Sequence, residues 1–227
     1  MFTLKLLSIL LHYPDPEMLK ALGQIRRAVG KDRFLGGAEK ARLIGFVDSF
    51  KGPDLIEIQE RYSTLFDQGK ALSLHMFEHV HGESRERGQA MVDLLRMYES
   101  SGFVLAASEL PDYIPLFLEF AAHQERHDAI MLLKDVLPVL NIIRTRLEER
   151  KSAYQAIFDA LIALTGEVPE VSTAGQLDAP AAQTLDTQWA DEPVTFGGCD
   201  PTACGSCPAV KARPQCPRPP ASRGGNP

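Results

Sequence analysis

The chain has 227 residues and a net charge of −6. Its 44% hydrophobic and 24% charged residues are the composition of an ordinary globular protein. The acidic balance excludes general nucleic-acid binding, which needs a basic face, and suits basic peptide partners. No run of about 18 apolar residues occurs, so no membrane-inserted helix is expected.

The first apolar segment places Leu4, Leu7, Ile9, Leu10 and Leu11 at helical spacing. It ends in His12-Tyr13-Pro14 rather than a small-residue cleavage site, which argues against a secretory signal and for a cytoplasmic location. Asp15-Pro16-Glu17 reads as a helix start, with proline in the first turn and an acid behind it. Helical spacing continues over 38–50 and 55–66. From Arg87 to Tyr98, Met91, Leu94, Leu95 and Tyr98 form one stripe, with Gly102 as a stop. Asp112 is expected to cap a helix starting at Tyr113, with Pro115 in its first turn. From Ala129 to Leu147 the pattern is helical again, with Pro138 predicted to kink or split it. The last amphipathic segment is Tyr154–Leu164. No alternating β-branched run and no fixed repeat interrupts this series. The fold class is therefore all-α: a bundle-like domain of about eight to ten helices over residues 1–166.

Beyond Gly166 the composition changes. Residues 167–227 hold ten of the sixteen prolines, and seven acids against four bases. Such a segment cannot bury enough apolar surface to offset its chain entropy and is expected to be mostly disordered. The stretch Trp189–Gly198 is an acidic, aromatic island within it. All four cysteines, Cys199, Cys204, Cys207 and Cys216, lie here, so the folded part has no disulfide, as suits a reducing compartment. Four thiols can hold zinc or a cluster, which leaves a metal-carrier function open for the tail.

The densest polar chemistry lies in residues 73–88. His75-Met-Phe-Glu78-His79 matches H-x-x-E-H, the inverted zinc-peptidase pattern. On a helix both histidines would share a face, with Glu78 as base, but nothing singles out a third ligand. The plainer reading is a helix end at His81-Gly82 with Ser84 capping the next helix. Phe77 and Val80 are interleaved with the charges, so this segment must lie against the core, where polar groups are paired or used.

Three stretches carry a resemblance. Tyr62-Ser-Thr-Leu65-Phe66-Asp67 is similar to a Y-x-x-L-F signature. Ser73–Leu95 is similar almost end to end to a family hallmark. Glu109-Leu-Pro-Asp112-Tyr113 is similar to E-x-P-D-H. Together these positions, 62–120, cover about a quarter of the chain and resemble the TorD-like molybdoenzyme chaperones, in their respiratory nitrate reductase branch. The wider family has histidine where this chain has Tyr113, as the nitrate reductase branch does, so no imidazole role is carried over there.

The resemblance implies a protein that is not an enzyme and needs no cofactor of its own. It implies binding to the N-terminal leader of the catalytic subunit while the molybdenum cofactor is inserted, before membrane docking, as a monomer or weak dimer. A leader forming a basic amphipathic helix needs apolar walls and an acidic rim. The expected peptide-binding set is Leu65, Phe66, His75, Phe77, Glu78, His79, Glu109, Asp112, Tyr113, Phe117 and Glu119. For Leu65, Phe66, Leu116 and Phe120 the competing reading is plain core, and for Asp112 a helix cap alone. His75, His79 and His81 are expected to titrate near neutral pH and to favour a cationic peptide when neutral, with affinity falling as pH drops through about 6.5.

Overall fold

The computed structural model describes residues 1–82, 84–105 and 109–168, all within the unit Met1–Ala181. Among these residues the chain is all-α, with ten α-helices and no strand. They are α1 (Phe2–Leu11), α2 (Pro16–Lys31), α3 (Gly37–Asp48), α4 (Leu55–Phe66), α5 (Met76–Val80), α6 (Arg85–Ser100), α7 (Ile114–His123), α8 (Arg126–Asp135), α9 (Leu137–Glu149) and α10 (Gln155–Thr165). A 3-10 turn, Lys70–Leu72, precedes α5. The expected disorder, the aromatic island and the four cysteines lie outside the described residues, which end at Val168.

Local signals account for most boundaries. The Asp15 side chain accepts from Met18 N at 2.6 Å, capping α2 ahead of Pro16. The Asp54 carboxylate caps α4 in the same way. Gly102 takes φ +73°, which lets Phe103 N turn back to Tyr98 O and close α6. Pro138 splits the predicted long helix: α8 ends, Val136 sits at φ −98°, and Pro138 lies in the first turn of α9. Asp112 does not cap α7. That helix begins one residue later than expected, with Tyr113 at its N-cap and no side-chain cap bond.

Two helices are apolar nearly all round and form the centre of the core. Seven of ten residues of α1 and nine of eleven of α10 are buried, as expected of helices without a polar face. α1 runs antiparallel to α7. The buried Ser8 hydroxyl donates to Pro115 O at 2.7 Å, and Lys5 meets Glu119 at 3.9 Å. α10 packs against α1, α3, α8 and α9. Edge-on rings of Phe46, Phe66 and Tyr154 join α3 and α4 to the start of α10, with centroids 4.7 and 5.0 Å apart. One carboxylate enters this core. Asp159 on α10 accepts from Arg144 Nε at 2.8 Å and faces Arg42 Nε at 3.5 Å. The Arg144 and Asp159 side chains are only 12% and 7% exposed, so this pair is desolvated on both sides.

Removing Asp159 takes away the buried partner of Arg144 and leaves it only Glu148, at 2.9 Å on the solvent side. Asp159→Ala is expected to lower the unfolding free energy by about 3–5 kcal/mol, read from urea denaturation. A loss below about 1 kcal/mol would show that Arg144 relaxes into water.

Candidate functional site

The segment before α5 and the segment before α7 pair as a two-residue antiparallel bridge. Ile114 N donates to Leu74 O at 2.8 Å and Met76 N to Asp112 O at 2.9 Å, which sets His75 opposite Tyr113. Asp112 is fully buried beneath this bridge. Its carboxylate accepts from His75 Nδ1 at 3.1 Å and from Phe77 N at 3.3 Å, and it faces Arg87 Nη2 at 3.6 Å. It therefore caps the short helix α5 from 35 residues away. Arg87 also donates to Glu78 at 3.2 Å, so one guanidinium ties α6 to both α5 and the α7 approach. Two of the hallmark's interleaved charges, Glu78 and Arg87, are thus paired with each other.

Above the carboxylate lies a surface of rings. Tyr113 is half-buried between His12 and His75, with ring centroids at 5.8 and 5.5 Å. Its hydroxyl lies 3.4 Å from that of Tyr62, which donates to Leu11 O at 2.8 Å. Tyr13, 49% exposed, stands edge-on to Tyr62. Burial pushes the Tyr113 phenol above its ordinary value, and the nearby carboxylates of Glu109 and Asp67 act in the same direction. Both are exposed, and neither forms an ion pair among the described residues.

The two histidines of H-x-x-E-H are held differently. His75 is extended and lies outside α5, so the two rings do not share a helical face. Its bond to Asp112 raises its pKa above 6.5. His79 Nε2 lies 2.8 Å from Ser73 O, a group that can only accept, so Nε2 carries the proton. Nδ1 then faces Arg146 Nη1 at 3.4 Å, and burial lowers the pKa of this ring. Both nitrogens of His79 are thereby engaged. The two rings thus shift in opposite directions from the ordinary histidine value. Among the described residues no three His, Cys, Asp or Glu side chains are grouped to hold a metal.

The expected site residues divide. His75, Phe77, Glu78, His79, Asp112 and Tyr113 come together. Leu65 is half-buried on α4, and Glu109 is exposed. Phe66 and Phe117 are core side chains, 5% and 3% exposed, and offer no surface to a docked peptide. Glu119 lies six residues beyond Tyr113, about 9 Å along α7, at the seam with α1. His12, Tyr13, Asp67 and Arg87 were not in the expected set. Arg87 carried a signal, as one of two arginines among acids in a segment that had to touch the core. The others become neighbours only through the fold.

Residues 20–160 match the family described as nitrate reductase delta subunit. The chain is 39% identical to the nitrate reductase molybdenum cofactor assembly chaperone NarJ of Escherichia coli K12 over 201 residues, 86% of this chain and 85% of that one. It is 37% identical to the probable chaperone NarW of the same organism over 214 residues, 90% and 88% of the two chains. To the probable NarJ of Bacillus subtilis it is 33% identical over 162 residues, 71% of this chain and 86% of that one.

Opposite pKa shifts predict opposite pH effects. The His75–Asp112 pair stabilises fully below pH 6.5 and is lost as pH rises through the raised His75 value. The neutral His79 contributes fully above pH 6.5 and is lost as pH falls through its lowered value. Imidazole NMR titration is expected to place one ring on each side of 6.5. Asp112→Asn should bring His75 back down and cost about 2–4 kcal/mol of stability.

Proposed function

The chain belongs to the nitrate reductase delta subunit family, and on that basis we propose that it is an assembly chaperone of respiratory nitrate reductase. It holds the cofactor-free catalytic subunit by its N-terminal leader while the molybdenum cofactor is inserted, and it releases the subunit before membrane docking. It acts in the cytoplasm by binding, without catalysis and without a bound metal. No helix among the described residues is long and apolar enough to cross a membrane, which is compatible with that role.

The observation that carries the reading is the ring surface over Asp112. Tyr13 and Tyr113 give an apolar floor, Leu65 extends it along α4, and Asp67 and Glu109 give it two exposed carboxylates at the rim. A basic amphipathic helix meets both demands: its apolar side covers the rings and its cations face the carboxylates. The leader contacts are therefore Leu65, His75, Tyr113 and Glu109 from the expected set, with Tyr13 and Asp67 added. Glu78, His79 and Asp112 act from beneath by holding α5 and Tyr113 in place.

Calorimetric titration of chelator-treated protein with a synthetic leader peptide of the catalytic subunit tests this. Binding is expected without metal. Tyr113→Ala should weaken it at least tenfold and Glu109→Gln about fivefold, or ~1 kcal/mol, with the thermal midpoint of Glu109→Gln unchanged. Absence of binding, or binding indifferent to both changes, would remove this surface as the leader site.

A further inference from the structure

α2 carries a basic stripe directly opposite its buried side. Met18, Leu22, Ile25 and Val29 face the core. Lys20, Gln24, Arg27 and Lys31 follow at i, i+4, i+7 and i+11 on the other side, and all four are exposed. Glu17, in the first turn, is the only acid of this helix. Arg26 turns to Asp48 on α3 at 3.2 Å, whereas Lys20, Arg27 and Lys31 have no ion pair among the described residues. On a chain of net charge −6 this stripe has the opposite sign to the whole.

The stripe runs into a corner that the fold assembles from distant segments. The Thr3 hydroxyl donates to Asp32, the residue that follows Lys31. The other Asp32 oxygen accepts from Phe34 N at 2.7 Å and Leu35 N at 3.0 Å, which fixes the turn after α2. The Arg126 guanidinium, at the start of α8, lies 4.7 Å over the Phe34 ring. Two aromatic side chains thereby project at the end of the stripe: Phe2 is 65% exposed and Phe34 44%. Arg33 stands between them and Lys31 in sequence, exposed and without an ion pair among the described residues. The exposed acids Glu125 and Asp128 flank Arg126, so the corner has cations in excess, with Asp32 committed to its own turn.

The shape of this region identifies what fits it. The cations stand on the convex side of a helix and the rings on a corner, so both project outward. A peptide or partner helix is held in a groove between walls. Projecting cations beside projecting rings suit a broad anionic plane with an apolar layer behind it. Duplex nucleic acid supplies the charge but no apolar layer for the rings. Lipid supplies both: anionic headgroups meet the lysines and arginines, and the acyl boundary takes the phenylalanines.

We propose that the outer face of α2 and the Phe2–Phe34 corner form a peripheral contact with an anionic lipid surface. Phe2 opens α1 and Tyr13 follows its end, so a helix about 15 Å long separates the corner from the ring surface over Asp112. A chain seated by its corner therefore keeps that ring surface open.

The test is co-sedimentation of the full chain with vesicles of phosphatidylcholine alone and of phosphatidylcholine mixed equally with phosphatidylglycerol. Binding is expected only to the mixed vesicles, and it should weaken with added salt. Arg27→Gln combined with Lys31→Gln should weaken it at least about tenfold, and Phe2→Ser combined with Phe34→Ser about fivefold or more. All four side chains are exposed, so thermal midpoints and affinity for the leader peptide should stay unchanged. No binding to the mixed vesicles, or binding equal in both variants, would overturn the proposal. Loss in the charge variant alone would leave a diffuse attraction with no seated corner and would overturn it as well. Tighter binding to a single-stranded oligonucleotide than to the vesicles, lost in the same variants, would assign the face to nucleic acid instead. The measurement involves no client, so its failure is distinct from failure of the leader titration.

Discussion

The arrangement of the candidate site depends on one buried carboxylate. Asp112 has no solvent contact, and its charge is met from three directions by His75, the Phe77 amide and Arg87. Two of these partners open α5 and the third lies on α6, so neutralising one charge joins α5, α6 and the entry to α7. The bridge between residues 74–76 and 112–114 carries the same junction through the backbone. Such an anion is costly to bury, and it is tolerated only because every partner arrives in place. Tyr113 follows immediately in sequence, so the carboxylate that fixes the backbone also sets the ring exposed above it.

The framework was largely legible from the sequence because local rules determine it. Helical spacing located the long helices, Asp15 and Pro16 marked the start of α2, and Pro138 divided α8 from α9, one of the two outcomes expected of it. The site was legible only as a neighbourhood. Spacing alone made His75 and His79 a pair on one helix, yet the helix begins between them because Asp112 caps it from a distant segment. Phe66 and Phe117 look identical to surface anchors in a sequence, since an aromatic residue at helical spacing carries no mark of which side faces the core. The roles of His12 and Tyr13 had no sequence signal, because their relation to Tyr113 arises from α1 lying along α7, and Asp67 comes near Tyr113 only because Tyr62 of α4 meets that ring.

Geometry also separates a binding site from a reactive one. The pattern H-x-x-E-H describes residue types, whereas coordination needs free lone pairs converging on a point. Here the imidazole nitrogens of His79 serve a carbonyl and a guanidinium, and Glu78 is committed to Arg87. The polar atoms are used to hold shape, and the groups left over are rings and two free carboxylates at the rim. This division suits recognition of a cationic, partly apolar segment better than bond-making chemistry.

The antiparallel seam of α1 and α7 bears on how the chain is made. Ser8 reaches its hydrogen-bond partner Pro115 across 107 positions. On a ribosome adding about 5–20 residues per second, α1 waits roughly 5–20 seconds before α7 exists to cover it. During that interval the ten-residue helix, seven of whose residues end up buried, lacks both α7 and α10 and has only α2 of its final helix partners. In a chain of this architecture the apolar α1 is therefore covered along α7 only by residues translated far later.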